Sequence, residues 1–432
     1  MSTSYDLADV GRIGLGLLNT LINPERFLEG KLQRASQALK KYDLDAAICL
    51  TEPNITYVSN VPPLGALSAG VGGYRYALFI REGKHVIYFD ECDIAYHIAN
   101  QFPYLKVEKS IPVAGGVMSA CPPSAQEYML SLFCEQIDKL LKDYKVPRER
   151  IGIDANIPLL INALERHLKI KASLDGARAL TEARTIKTPE EQRIFQVLAA
   201  VVDGAFEVAY KTIKPGVREY EVWAEICRYL IRHGVEPGGY IISGQHTWPK
   251  DISRSCTDRI IRLHDTVVID IFNARLLGYT SCCYRTFCVG RPSKELKEAY
   301  ERALNWLREA EKRLRPGSTT KDVVEVWPDE VDLWSNRPPF IRSEAERFST
   351  FFNNMGHGLG VVTLYDPPFF WKPVSIKWPV ELQSGMVISL ETQEGTPDNR
   401  LGVRIEDMII ITDTGYNVIS RWPADTITEV PP

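Results

Sequence analysis

Four apolar runs in the second half of the chain are each interrupted by an ionisable residue. No other feature constrains the fold as strongly. Asp270 breaks "TVVIDIFNA", His357 stands between glycines in "NNMGHGLGV", Glu391 ends "GMVISLE", and Glu406 lies in "GVRIEDMIIIT". A carboxylate inside an apolar strand is costly unless something pairs with it. Either salt bridges meet that cost, with Arg285 and Arg404 as partners, or the side chains converge on one site. Three carboxylates and an imidazole suit a hard-to-borderline divalent cation. Gly356 and Gly358 let the backbone approach closely around His357.

A further stretch complicates this pattern. Residues 278–290, "GYTSCCYRTFCVG", have a Gly at each end and many β-formers, yet Cys282 and Cys283 sit side by side. Successive strand residues point to opposite faces, so only one thiol can face a given pocket.

The chain has 432 residues, comfortable for two domains. Its first part alternates strand signals (46–50, 76–80, 85–89 and 150–154) with amphipathic stretches at 31–41 and 125–143. This predicts an α/β domain over residues 1–185. In "EARTIKTPEEQRIF", Thr188 suits an N-cap, Pro189 the first helical position, and Glu190 and Glu191 the first turn of a helix over 189–212. The second domain, 186–432, carries an internal echo: 213–234 and 314–335 open alike, each after a long helix, at 189–212 and 294–313. Strands predicted at 266–272, 279–289, 386–391 and 402–412 make this part α+β.

A net charge of −4 gives no basic field for nucleic acid or a membrane surface. Nine cysteines, an odd number, point to a reducing compartment rather than a disulfide framework. No apolar run is long enough to span a bilayer, and "IGLGLLNTLI" follows Asp6 and Asp9 rather than a basic cluster. Cytoplasm is the expected location.

Taken in order, Asp270, the "GYTSCCYRT" strand, "GHGLG", "GMVISLE" and "GVRIED" resemble the methionine aminopeptidase, Xaa-Pro peptidase and creatinase superfamily. The likeness covers the second part, and the α/β first domain followed by "IKTPEE" extends it to nearly the whole chain. It implies a pita-bread catalytic domain, an α+β fold, and a homodimer in which the N-terminal domain of one subunit reaches toward the other's site. Metal-binding members use Asp, Asp, His, Glu and Glu. Carried across, these positions are Asp270, Cys282, His357, Glu391 and Glu406, with Cys282 where the second aspartate is expected. Cys282 then faces the site and Cys283 faces away. A thiolate is one soft donor and favours zinc or iron over manganese or magnesium. Cys282 is thus a ligand to one altered divalent metal, a nucleophile activated by Arg285, or a small buried hydrophobe beside a metal-free site.

Other departures bear on activity. Two histidines carried by similar Xaa-Pro peptidases are replaced here by Asp251 and Leu364. Creatinase, a metal-free relative, uses a histidine of the "SG" loop as acid and base; His246 lies in that loop at another offset. The resembling lyase that cleaves dimethylsulfoniopropionate has a carboxylate where Phe272 stands. Aromatic residues Trp248, Tyr365, Phe369, Phe370 and Trp371 near the expected site suit a cationic group. Tyr279 is a further candidate substrate contact, and Arg285 or Arg404 suits a carboxylate. The expected substrate is a small zwitterionic molecule, and the expected reaction is hydrolysis of a non-peptide C–N bond. In it Glu391 and Glu406 position water or substrate, with His357, His246 and Asp251 as further candidate catalytic groups. The alternatives are an eliminating lyase, an Xaa-Pro peptidase-like metallopeptidase, and a binding module on a decayed scaffold.

Overall fold

A computed structural model describes residues 22–63, 75–113, 115–244, 256–328, 355–362, 366–397 and 400–432. The chain divides into two compact units, Met1–Arg184 and Thr185–Pro432.

The first unit is built on a five-stranded sheet. Its strands are β1 (Ala46–Cys49), β2 (Tyr76–Ile80), β3 (His85–Asp90), β4 (Lys106–Lys109) and β5 (Ile151–Ile153), in the order β4-β3-β2-β1-β5. β1, β2 and β5 are buried along their whole length, which explains their unbroken apolar sequences. The Asp154 carboxylate takes bonds from Leu50 N (2.7 Å), Thr51 N (3.1 Å) and Oγ1 (2.6 Å), and Asn54 Nδ2 (2.8 Å). It thereby fixes the start of the helix Glu52–Ser59.

The second unit opens with the helix Pro189–Thr212, which a capping box between Thr188 and Glu191 starts as the sequence predicts. Two sheets follow. One has the order β16-β10-β7-β6, from β6 (Tyr240–Gly244), β7 (Thr266–Asp270), β10 (Tyr284–Val289) and β16 (Thr428–Val430). The other is antiparallel, in the order β12-β11-β13-β14-β15: β11 (Gly356–Gly358), β12 (Asp366–Phe369), β13 (Val387–Gly395), β14 (Gly402–Ile411) and β15 (Tyr416–Val418). β8 (Arg275–Leu276) and β9 (Tyr279–Thr280) form a small hairpin. Thr286 ties the two larger sheets together, accepting from Arg404 N (3.0 Å) and donating to its carbonyl (2.8 Å). The helix Lys294–Glu311 and strands β13 and β14 share one apolar core that includes Leu296, Ala303, Leu307, Ile388 and Ile405.

Two local expectations are corrected. The strand predicted over 279–289 is split, and residues 281–283 leave the ladder. Ser281 donates its N–H to Ala274 (2.9 Å) and its hydroxyl to Ile271 (2.8 Å), while Cys283 accepts from Ile271 N (3.1 Å). The echo at 314–335 is partial within the described residues 314–328: a short helix Thr320–Val324 stands against Glu219–Arg232 in the first copy. Pro328 follows closely, and a proline cannot continue a helix.

Candidate metal centre

Strand pairing alone brings most of the ionisable residues together. Glu391 on β13 lies directly opposite Glu406 on β14, and His357 on β11 lies opposite Ser389 on β13. Asp270, at the end of β7, pairs with Tyr240 on one side and Tyr284 on the other. A Cβ at Gly358 would overlap the Pro367 carbonyl oxygen, so the strand carrying His357 tolerates no larger residue there.

One ligand atom each from Cys282, His357 and Glu406 lies within 4.8 Å of the other two, and all three residues are buried. His357 Nδ1 sits 3.1 Å from the Gly358 carbonyl. Donating its proton there makes Nε2 the ligating nitrogen. Glu406 is 0% exposed, and among the described residues no cationic side chain pairs with it; the Cys282 thiol and the Ser389 hydroxyl are its polar neighbours. The Ser389 hydroxyl also reaches the Cys282 carbonyl, at 2.8 Å. A fully buried carboxylate in that condition calls for a cation. The residues present therefore fit a divalent metal, with one thiol, one imidazole and one carboxylate as its donors.

The electrostatics agree. Burial, and then the charges of Glu406, Asp270 and Glu391, hold the Cys282 thiol well above its usual range. Burial and the neighbouring Glu391 and Asp270 raise Glu406 likewise. Burial pushes Glu391 up to about 7, against the pull of Arg404. A bound cation would reverse all three tendencies. Arg404 donates to the Tyr240 hydroxyl (2.8 Å) and lies over the Tyr284 ring, 5.3 Å from its centroid, with its charge beside Glu391 and Asp270.

Arg285 is a correction. It was expected to hold a substrate carboxylate or to activate Cys282, but it points the other way. It is 1% exposed and donates to Asp407 (2.9 Å) and to Cys283 Sγ (3.2 Å). The reason is alternation: Cys282 occupies one face, while Cys283 and Arg285 occupy the other. Cys282 thus has carboxylates rather than a guanidinium as neighbours, and the activated-nucleophile reading falls. Tyr279 is a second correction. Its hydroxyl donates to Glu191 (2.9 Å) and its buried ring packs edge-on against Phe195, which fixes the start of the helix Pro189–Thr212. Phe370 belongs to the apolar core, while Trp371 stands at the N-cap of the short helix Lys372–Lys377. His246, Trp248, Asp251, Leu364 and Tyr365 lie outside the described residues.

Sequence reasoning missed Tyr240, Tyr284 and Ser389. Tyr284 was within reach, since it lies two residues from Cys282 and shares its face. Tyr240 needed the β6–β7 pairing, which no local pattern announces.

The model of metallopeptidase family M24 matches residues 193–413. An Xaa-Pro dipeptidase of Pyrococcus horikoshii is 26% identical over 405 residues, covering 92% of this chain and 98% of its own. A solved prolidase structure from Pyrococcus horikoshii superposes with a TM-score of 0.67 at 24% identity, covering 92% of this chain and 99% of the other. The dipeptidase PepE structure from Mycobacterium ulcerans gives 0.68 at 19% identity, covering 95% and 100%. These likenesses match the pita-bread architecture.

Proposed function

The chain belongs to metallopeptidase family M24, and from that premise we propose that it hydrolyses Xaa-Pro-type dipeptides at a single metal centre held by Cys282, His357 and Glu406. The observation that carries this reading is the buried triad of ligand atoms, whose carboxylate has no cationic partner among the described residues. The relatives' activity supports the peptide substrate. A divalent metal supplies Lewis acidity toward the carbonyl and toward water.

The chain's own residues do the rest. His357 presents Nε2 because Gly358 fixes its tautomer. Glu391, directly opposite Glu406, presents a second buried carboxyl beside the centre. Such a group can take a proton from water and return one to the leaving nitrogen. Arg404, held by Tyr240, keeps positive charge beside Glu391 and Asp270.

A second reading is the hydrolysis of a non-peptide C–N bond in a small zwitterion. The thiol in place of an aspartate favours it, because a single soft donor cannot bridge two hard cations as a carboxylate can.

The test joins elemental analysis of the purified protein to a substrate screen in 18O-labelled water. Stoichiometric zinc or iron, with Gly-Pro hydrolysis lost in Glu406→Gln and metal lost in Cys282→Ala, supports the first reading. Label entering the carbon fragment cleaved from N-substituted amino acids, with none from Gly-Pro, selects the second. An alkene product without label points to elimination. Metal-free protein with no turnover overturns every hydrolytic reading.

A further inference from the structure

We infer that Arg285 is a positioning residue for the proposed metal centre, clamping the Cys282 and Glu406 ligands in register from the reverse face of both strands. The inference rests on the centre described above. The guanidinium is buried, and all its donors are used. Nη1 donates to the Glu406 carbonyl, to the Tyr284 carbonyl (2.9 Å) and to Cys283 Sγ (3.2 Å). Nη2 donates to Asp407 Oδ1 (2.9 Å) and the Trp422 carbonyl (3.1 Å), and Nε donates to the same carbonyl (3.2 Å).

The pattern is matched across the two sheets. Next to Cys282 comes Cys283, whose thiol lies 3.2 Å from the Glu406 carbonyl. Next to Glu406 comes Asp407, which accepts from Arg285, from Ser420 Oγ (2.7 Å) and from Arg308 Nη1 (2.9 Å). In the segment before β10 as on β14, the ligand faces the cluster while its neighbour faces the clamp. One guanidinium thus bonds the backbone of the residue that supplies the carboxylate and the side chain beside the residue that supplies the thiol. A planar fork of five donors can do this; a lysine ammonium, with three donors on one point, can reach only part of the set. Partners that orient ligands in this way typically change metal affinity about 10–100-fold when removed.

Cobalt(II) titration of the purified, chelator-treated full chain gives the test, with thiolate-to-cobalt absorption as the readout, at a temperature where each variant is folded by circular dichroism. The wild type should show the charge-transfer band. Arg285→Met should bind cobalt about 10–100-fold more weakly with a shifted or weakened band, and Arg285→Lys should recover part of the affinity. Should Arg285→Met fail to fold, Asp407→Asn loosens the same guanidinium and should weaken binding and perturb the band to a smaller extent. A wild-type band that is unchanged in affinity and shape in the folded variants overturns the inference alone. No band in the wild type overturns the thiolate centre and this inference with it. A variant that loses only thermal stability shows a structural cross-link and also overturns the inference.

Discussion

At the residue scale the decisive exchange is a thiol for a carboxylate. Cys282 stands among Asp270, Glu391 and Glu406, so restoring the acid crowds four carboxylates into one buried site. Cys282→Asp should therefore move metal preference from zinc or iron toward manganese, as elemental analysis of protein loaded from a metal mixture will read. The chelated variant should also melt below chelated wild type, because the added charge is uncompensated. The thiol's raised pKa sets a second expectation. A cation that binds the thiolate displaces its proton, so affinity should rise with pH by up to about tenfold per unit until the apo thiol ionises. Isothermal titration in buffers of different ionisation enthalpy will count the protons released. His357 and Glu406 were legible in the sequence because each interrupts an apolar run, whereas Cys282 was reached only through the family resemblance. Arg285 was misassigned although alternation from Cys282 already put it on the far face, because its charge alone suggested a partner for the site.

At the scale of elements, helix ends carry the clearest consequences. The capping box of Pro189–Thr212 joins Thr188 to Glu191, whose other oxygen accepts from Tyr279. Thr188→Ala should cost about 1 kcal/mol, read by denaturant unfolding. Glu311 ends the helix Lys294–Glu311, where an acid opposes the helix dipole. Burial and the nearby Asp407 push it up to about 7, although Arg308 Nη1 lies 2.9 Å from both oxygens. The sign follows from linkage. The unfolded chain ionises this carboxyl near 4.5 and the folded chain near 7. Stability from this group is thus full below about 4.5 and falls as pH rises toward 7. Glu311→Gln should flatten that fall, worth about 1–3 kcal/mol between pH 5 and 8, in urea unfolding at each pH. Long helices and buried strands were readable from periodicity and caps. The break at 281–283 was not, because it depends on bonds to residues 271–274 made only in the folded chain.

At the scale of the molecule, each unit has its own apolar core, one centred on β1, β2 and β3 and the other on the helix Lys294–Glu311. The proposed ligands all belong to the second unit. Chelation should therefore speed hydrogen exchange around the ligand-bearing strands of that unit, read segment by segment. At a hundredfold excess over the dissociation constant, metal should restore about 2.7 kcal/mol. The unbroken β13–β14 ladder, from Val387 opposite Ile410 to Gly395 opposite Gly402, has one more consequence. Together with the β11–β13 pairing, it fixes the spacing of Glu406 and His357 by backbone bonds that owe nothing to an ion. The centre is thus a finished mould rather than a cast that sets on filling, and ion uptake should leave the far-ultraviolet spectrum as it was.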